Sequence, residues 1–205
     1  MANNSRRVND PDVLKALTHP LRRQILRLLV QFGPATVTKL GEHTGADPGQ
    51  LSFHLRELAK RGFIEEAPEL ARDRRERWWR AIEESWSWST LDFQDDPAGR
   101  VIADTAYRQM VADQYERLRT YESSRKSFGP DWVNAATATN SQFRLTPAEL
   151  LELSAELSEV MRRWSEVGRL DPGVRPEDRL PDGRESVFLF LHAFPERPPP
   201  PEERS

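Results

Sequence analysis

The chain of 205 residues contains no cysteine. Disulfides, thiolate nucleophiles and cysteine metal sites are therefore excluded. Long apolar runs are also missing, since none approaches the ~20 residues that span a bilayer. The opening segment, MANNSRRVNDPDV, has no apolar stretch behind its arginines, as a secretory signal would require. We therefore expect a soluble, cytoplasmic protein.

Histidine is scarce, and the four present lie far apart: His19, His43, His54 and His192. No two of them have the i, i+4 spacing of a helical zinc pair. The sequence contains no P-loop, dinucleotide fingerprint or G-x-S-x-G motif. Acidic pairs such as Glu65 and Glu66 are adjacent in the chain, so they do not form an opposed acid/base couple. The sequence therefore predicts no enzyme, no bound metal and no cofactor.

Positive charge is concentrated in the first part of the chain. Residues 1–82 carry 15 Lys and Arg against 10 Asp and Glu, a balance of +5, whereas the remainder carries 15 against 23, a balance of −8. The two sum to the overall charge of −3. A basic segment on an acidic protein indicates that an anionic partner contacts that segment alone, although chance scatter of charge is the alternative.

Prolines behind Asp or Thr mark the starts of several helices, because proline suits the first helical position and Asp or Thr caps it. Thr146 and Glu149 also form a capping box. Together with apolar periodicity, these signals predict helices near 11–18, 20–32, 36–44, 48–61, 97–128 and 147–167. Strands are expected near 63–67, 76–82, 136–145 and 186–194. The fold class expected is mainly α with a small β component.

Residues 36–62 contain two helices joined by a tight turn. The first ends at Gly45, and the second begins behind Asp47 and Pro48. Leu51, Leu55 and Leu58 share one face of the second helix. This arrangement predicts a helix-turn-helix, which presents its second helix to the DNA major groove.

The opposite face of that helix carries Gln50, Ser52 and Arg56, which are suited to reading bases or phosphates. Behind it, residues 63–82 predict a two-stranded wing with an arginine-rich tip that contacts phosphates or the minor groove. The DNA-contacting residues predicted for both elements are Thr36, Lys39, Pro48, Gly49, Gln50, Ser52, Phe53, His54, Arg56, Arg72, Arg74, Arg75 and Arg77. For His54, packing is an alternative to a phosphate contact.

Three segments, ALTHPLRRQILRLL, TVTKLGEHTGADPGQLSFHLRELAKRGFIEE and RDRRERWWRAI, resemble the winged helix of ArsR-type bacterial regulators. The resemblance covers roughly residues 10–82 and is most specific in PGQLSFHLRELAKRGFI. More narrowly, the chain is similar to the metal-independent branch of that family. The resemblance implies a homodimeric regulator of transcription that binds palindromic operators.

The chain departs from the family pattern at two points. Asp47 stands where many members have Ser or Thr, and because a carboxylate beside phosphates is unfavourable, we expect it to cap the helix. Metal-sensing members use a cysteine pair, or His with Asp or Glu on the dimerisation helix. This chain has no cysteine, and residues 97–128 contain no histidine. The resemblance therefore implies no metal sensing.

The long helix over 97–128 carries an apolar stripe that we interpret as a dimer interface. Its residues are Val101, Tyr107, Met110, Val111, Gln114, Leu118 and Tyr121. Helix 147–167 is expected to pack on strands 136–145 and 186–194, which leaves the long helix free for its two-fold mate. A closed monomeric bundle is the alternative.

The tryptophans Trp78, Trp79, Trp86 and Trp88 are dense between the wing and the connector that follows it. We expect them to pack in the core, and an aromatic box for an unidentified small-molecule effector is the alternative.

The domains expected are therefore a winged helix-turn-helix over 1–90, an α+β dimerisation and effector region over 91–194, and a proline-rich disordered tail over 195–205. The function expected is that of a nucleoid-associated, sequence-specific transcriptional regulator. Its expected partners are double-stranded DNA and a second copy of the chain, without membrane contact. The alternative function is a ligand-sensing or protein-interaction module whose winged helix does not read DNA.

Overall fold

The computed structural model describes residues 5–73, 75–82 and 85–197. It divides into two compact units. One comprises the described residues of Met1–Ser124 together with Leu170–Ser186, and the other those of Arg125–Arg169 together with Val187–Ser205. The chain is mainly helical with a small antiparallel sheet, as the sequence predicts. Over the described ranges, no helix has the length and apolar character needed to cross a bilayer.

Five helices belong to the first unit: α1 (Pro11–Leu17), α2 (Pro20–Phe32), α3 (Val37–Thr44), α4 (Pro48–Lys60) and α5 (Pro97–Ser124). Their starts follow the sequence signals closely. Asp10 caps α1 by accepting from the backbone N–H of Asp12 at 2.8 Å. Proline occupies the first turn of α1, α2 and α4. These starts are confirmed because each is specified by local chemistry.

The strands are β1 (Ser5–Arg7), β2 (Ala35–Thr36), β3 (Ile64–Glu66), β4 (Trp78–Ala81) and β5 (Ser85–Ser87). An antiparallel sheet has the order β2-β4-β3, with Ile64 opposite Ala81. This sheet confirms the two strands expected near 63–67 and 76–82. The parallel pair of β1 and β5 was not predicted.

The core of the helix-turn-helix lies between α2, α3, α4 and the sheet. Its buried side chains include Ile25, Leu40, Phe63 and the leucines of α4. Burying one such side chain contributes roughly 1.5–3 kcal/mol. This core fixes how α4 is rotated and hence which of its residues face outward.

The N-terminal half of the long helix α5 packs on other elements of the first unit. Gly99, Ala103 and Ala106 are buried, and α5 contacts α1 and the 3₁₀ helix Thr90–Phe93. Further along, Arg23 donates from Nε to Asp113 Oδ2 at 2.7 Å. The expectation that α5 is left free for its two-fold mate is therefore wrong for this half, because small residues let α1 approach it closely.

The second unit contains α6 (Pro130–Ala135) and α7 (Pro147–Val167), preceded by the 3₁₀ turn Arg125–Phe128. The capping box of Thr146 and Glu149 is present as predicted. The strands expected near 136–145 and 186–194 are not formed, and neither segment has regular strand pairing. No described side chain of this unit is buried. The residues of both segments are exposed or half-buried.

Candidate nucleic-acid interface

The turn between α3 and α4 is fixed by local interactions. Thr36 caps α3 by accepting from the N–H of Lys39 at 3.3 Å. Gly45 ends α3 in the left-handed conformation, with φ of 66°, which glycine adopts without the steric cost of a Cβ. Asp47 then caps α4 by accepting from the N–H groups of Gly49 at 2.7 Å and Gln50 at 3.3 Å. The predicted role of Asp47 as a helix cap is confirmed.

The helix α4 has a buried and an exposed side. Leu51, Leu55 and Leu58 are fully buried against the core. The exposed or half-buried residues of the other side are Pro48, Gly49, Gln50, Ser52, Phe53 and Arg56. Phe53 is 54% exposed although it is aromatic. The polar face predicted opposite the leucine stripe is therefore available to a partner.

His54 requires a correction. Its side chain is only 8% exposed, and its ring lies 4.2 Å from that of His19, centroid to centroid. The prediction that His54 contacts DNA does not hold, because the residue lies on the packed side of α4. Burial, and then the charges of His19 and Arg22, lower the pKa of His54. Burial, and then the neighbouring arginines, likewise lower the pKa of His19.

A depression of about 130 Å³ connects the turn, α4 and the wing. It is lined by Val37, Ser52, Arg56, Arg77 and Trp79. The Arg56 guanidinium also donates to the carbonyl of Ser52 at 3.1 Å, which holds it along α4. Two arginines, Arg56 from α4 and Arg77 from the wing, thus line one opening beside Ser52 of α4, and this residue composition is suited to an anion.

The described residues of the wing include exposed arginines and two carboxylates that accept hydrogen bonds from the wing itself. Arg72, Arg75 and Arg77 are exposed, whereas Arg74 lies outside the described residues. Asp73 accepts from the backbone of Arg75 at 2.6 Å. Glu76 accepts from the backbone N–H of Arg72 at 3.0 Å and from Trp78 Nε1 at 3.1 Å. These bonds, the backbone one first, lower the pKa of Glu76, which therefore stays ionised while it shapes the wing.

The tryptophans pack against the protein, in agreement with the packing interpretation. Trp78 and Trp79 are 3% and 4% exposed. The Trp86 ring lies 4.5 Å from that of Phe63, centroid to centroid, and Trp88 packs against the cluster around Leu14.

The geometry of this region agrees with a comparison against known protein families. Residues 17–67 match the model of a helix-turn-helix domain. The chain therefore carries a helix-turn-helix, as predicted, and this type of domain indicates a DNA-binding regulator. The match covers α2, α3, α4 and β3 and stops before the wing arginines. No curated protein matches the chain.

The residues of the predicted dimer stripe differ in exposure and in their position around α5. Val101, Tyr107 and Leu118 are 63%, 46% and 41% exposed, whereas the remaining members are half-buried: Met110, Val111, Gln114 and Tyr121. Val101 lies six positions before Tyr107, which at about 100° per residue places it away from the others. The stripe that remains runs from Tyr107 to Tyr121, beside the face that packs on α1.

The sequence analysis missed the segment Leu170–Ser186, which lies against the winged helix. Arg175 donates from Nε to the carbonyl of Leu70 at 2.7 Å. Glu177 forms an ion pair with Lys39, and Asp178 with Arg72 at 3.4 Å. These partners are more than 100 residues apart in the chain, and no local pattern links them.

Proposed function

We propose that the protein is a sequence-specific, DNA-binding regulator of transcription, and that α4 is its recognition helix. The observation that carries this proposal is the exposed face of α4. Gln50, Ser52 and Arg56 point away from the core, beside a wing that presents further arginines. Gln pairs well with adenine and Arg with guanine, so these side chains can discriminate between bases.

The wing and the turn supply the contacts that do not depend on sequence. Arg72, Arg75 and Arg77 are exposed, and Lys39 lies at the start of α3. Cations in these positions neutralise phosphates and fix the orientation of the protein on the duplex. The convergence of Arg56 and Arg77 on one depression supports a phosphate between the recognition helix and the wing.

We also propose that the protein acts as a homodimer on a palindromic operator. A single winged helix reads few base pairs, whereas a two-fold dimer doubles the site. Tyr107 and Leu118 leave apolar surface exposed on α5. In the second unit, α7 exposes Leu151 and Trp164 to 72% and 63%. Exposed apolar surface of this extent favours a protein partner.

Residues 187–194 extend this argument. The segment is extended, and the rings of Phe188, Phe190 and His192 are neighbours at 5.8 and 5.9 Å. Alternate residues thus share one side, as in a strand. We propose that residues 136–145 and 186–194 become strands when a second copy packs on them, so that 91–194 is the dimerisation region.

The proposed class is the metal-independent branch of the ArsR-type regulators, working in the cytoplasm on the nucleoid. The winged-helix order of α2, α3, α4, β3 and β4 supports this class, together with the Arg-rich wing. We propose no small-molecule effector for residues 91–194.

The proposal is tested by selecting duplexes from a random library with the purified full chain. Arg56→Ala should then weaken binding to the selected duplex by roughly 1–3 kcal/mol if Arg56 reads a guanine, and relax the preference at one position. Arg119→Ala is the matched control, because Arg119 is an exposed arginine on α5 that pairs with Glu116. The control removes the same charge and should leave selection unchanged.

Two results would contradict the proposal. If Arg56→Ala selects and binds the same sequences as the wild type, α4 is not the reading element. If the wild type enriches no sequence, the winged helix does not read DNA, and the alternative of a ligand-sensing or interaction module takes its place.

A further inference from the structure

Residues 174–179, here called the clasp, are held on the winged helix by two arginines. Arg175 donates to the carbonyl of Leu70, and its guanidinium lies 5.4 Å from the Trp78 ring centroid. Arg179 donates from Nη1 to the carbonyl of Phe32 at 2.7 Å. Only 11% of the Arg175 side chain is exposed. The clasp is therefore anchored at the end of α2 and at the base of the wing.

Between these anchors, the clasp presents two carboxylates to cations of the proposed DNA surface. Glu177 pairs with Lys39, whose Nζ also lies 4.8 Å from the Trp78 ring centroid. Asp178 Oδ1 lies 3.4 Å from Arg72 Nη2. Partial burial acts to raise the pKa of Glu177, but the hydrogen bonds from Lys39 and from the backbone, together with the charges of Lys39 and Arg175, outweigh burial, and the net pKa is lowered. Both cations are thus neutralised within the chain itself.

The anchors and the carboxylates differ in exposure. The side chains of Glu177 and Lys39 are 39% and 35% exposed, and those of Asp178 and Arg72 are 50% and 63% exposed. Ion pairs with this exposure are weak, because water screens them. A DNA phosphate can therefore replace either carboxylate while the arginine anchors stay in place.

We infer that the clasp is an autoinhibitory element whose carboxylates compete with DNA phosphates for Lys39 and Arg72. This inference rests on the proposed function, since it requires DNA to use the same surface. When the duplex binds, the two cations exchange Glu177 and Asp178 for phosphates. Glu177 then faces the polyanion and takes up a cation from solution, whereas Asp178 keeps the anchor Arg175 at 3.8 Å. The clasp therefore lowers both the affinity and its dependence on salt.

The magnitude follows from the number of pairs. An exposed ion pair changes an equilibrium by a factor of about 1.4 to 5, so the two pairs together change it by about 2- to 25-fold. Each phosphate contact contributes close to 0.9 to the slope of log affinity against log salt concentration. Removal of the two carboxylate charges should therefore steepen that slope by up to about two.

The test uses the full chain and the variant Glu177→Gln with Asp178→Asn, which removes both charges and keeps the side-chain shapes. The matched control is Glu159→Gln with Glu166→Gln, which removes two carboxylates that pair with Arg162 on α7. Fluorescence anisotropy with the selected duplex gives affinity across a range of salt concentrations. We expect the clasp variant to bind about 2- to 25-fold more tightly than the control, with a steeper slope.

A second comparison shows whether the effect passes through Lys39. In a Lys39→Gln background, Glu177→Gln should give no gain in affinity, because the carboxylate no longer has a cation to occupy. A full gain in DNA affinity in that background would refute competition for Lys39 and would indicate only a general effect of negative charge.

The outcomes separate this inference from the function on which it rests. If the wild type binds the duplex selectively but the clasp variant behaves like the control, the autoinhibitory role is refuted and the DNA-binding proposal stands. If neither the wild type nor the clasp variant binds any duplex, the proposed function is refuted and the inference with it. If only the clasp variant binds, both are supported.

Discussion

Asp47 has two separable effects, one on folding and one on DNA. Its carboxylate satisfies two backbone N–H groups at the start of α4, at 2.7 and 3.3 Å, and it is exposed where the recognition helix would approach phosphates. Asp47→Ala removes the cap and should lower the free energy of unfolding by about 1 kcal/mol. For a chain of this length, that corresponds to a decrease in Tm of about 2–4 °C.

Asp47→Asn separates the two effects, because asparagine caps helices about as well as aspartate but carries no charge. We expect its Tm to stay near that of the wild type while its affinity for DNA rises, and we expect that rise to shrink at high salt. Asp10→Ala is the control, since Asp10 caps α1 in the same way. It should lower Tm without the gain in DNA affinity.

Thermal unfolding and fluorescence anisotropy with the same duplex provide both readouts. The reasoning about the cap is refuted if Asp47→Ala is as stable as the wild type, or if Asp47→Asn loses as much stability as Asp47→Ala. The reasoning about charge is refuted if Asp47→Asn binds DNA no more tightly than the wild type at low salt.

Three further outcomes are expected. In urea unfolding, Leu55→Ala should lower the free energy of unfolding by about 2–5 kcal/mol because Leu55 is fully buried. Leu91→Ala should change it by no more than about 0.5 kcal/mol, because Leu91 is 72% exposed. Equal losses would contradict the packing described. Because burial lowers the pKa of His54 in the folded protein, the unfolded chain binds the proton more readily, and the urea midpoint should fall as pH drops below ~6.5. His54→Asn should reduce that fall. If the variant has the same pH profile as the wild type, the burial of His54 is not the cause. Light scattering should give about twice the 23.7 kDa of one chain, and Met110→Asp with Leu118→Asp should lower the mass toward one chain; a dimer that survives both changes would place the interface elsewhere.

The parts of the fold that could be predicted from the sequence are those specified locally. Asp47 with Pro48 marks the start of α4, and the spacing of Leu51, Leu55 and Leu58 marks its buried side. These signals act within one or two helical turns, so a single sequence contains them completely. The polar face of α4 then follows by exclusion for Gln50, Ser52 and Arg56, which lie on the side opposite the leucines.

The misses have a common physical cause, which is dependence on distant residues. His54 is at the edge of the leucine stripe, where local spacing permits either burial or exposure, and its ring lies against that of His19 on a separate segment. The clasp is fixed by Arg175 on Leu70, a contact that spans 105 positions. The strand near 186–194 was expected because the segment is apolar, but a strand is also defined by backbone pairing, and no strand pairing forms there among the described residues.

The central claim, that the exposed face of α4 reads DNA sequence, is tested most directly by a ratio of two affinities. Both are measured by fluorescence anisotropy at one stated salt concentration, for the duplex selected by the full chain and for a scrambled duplex of the same length and composition. The account predicts a ratio of at least about 10³ in favour of the selected duplex. A ratio near one would mean that the arginines bind phosphates without any reading of bases, and the account would be wrong.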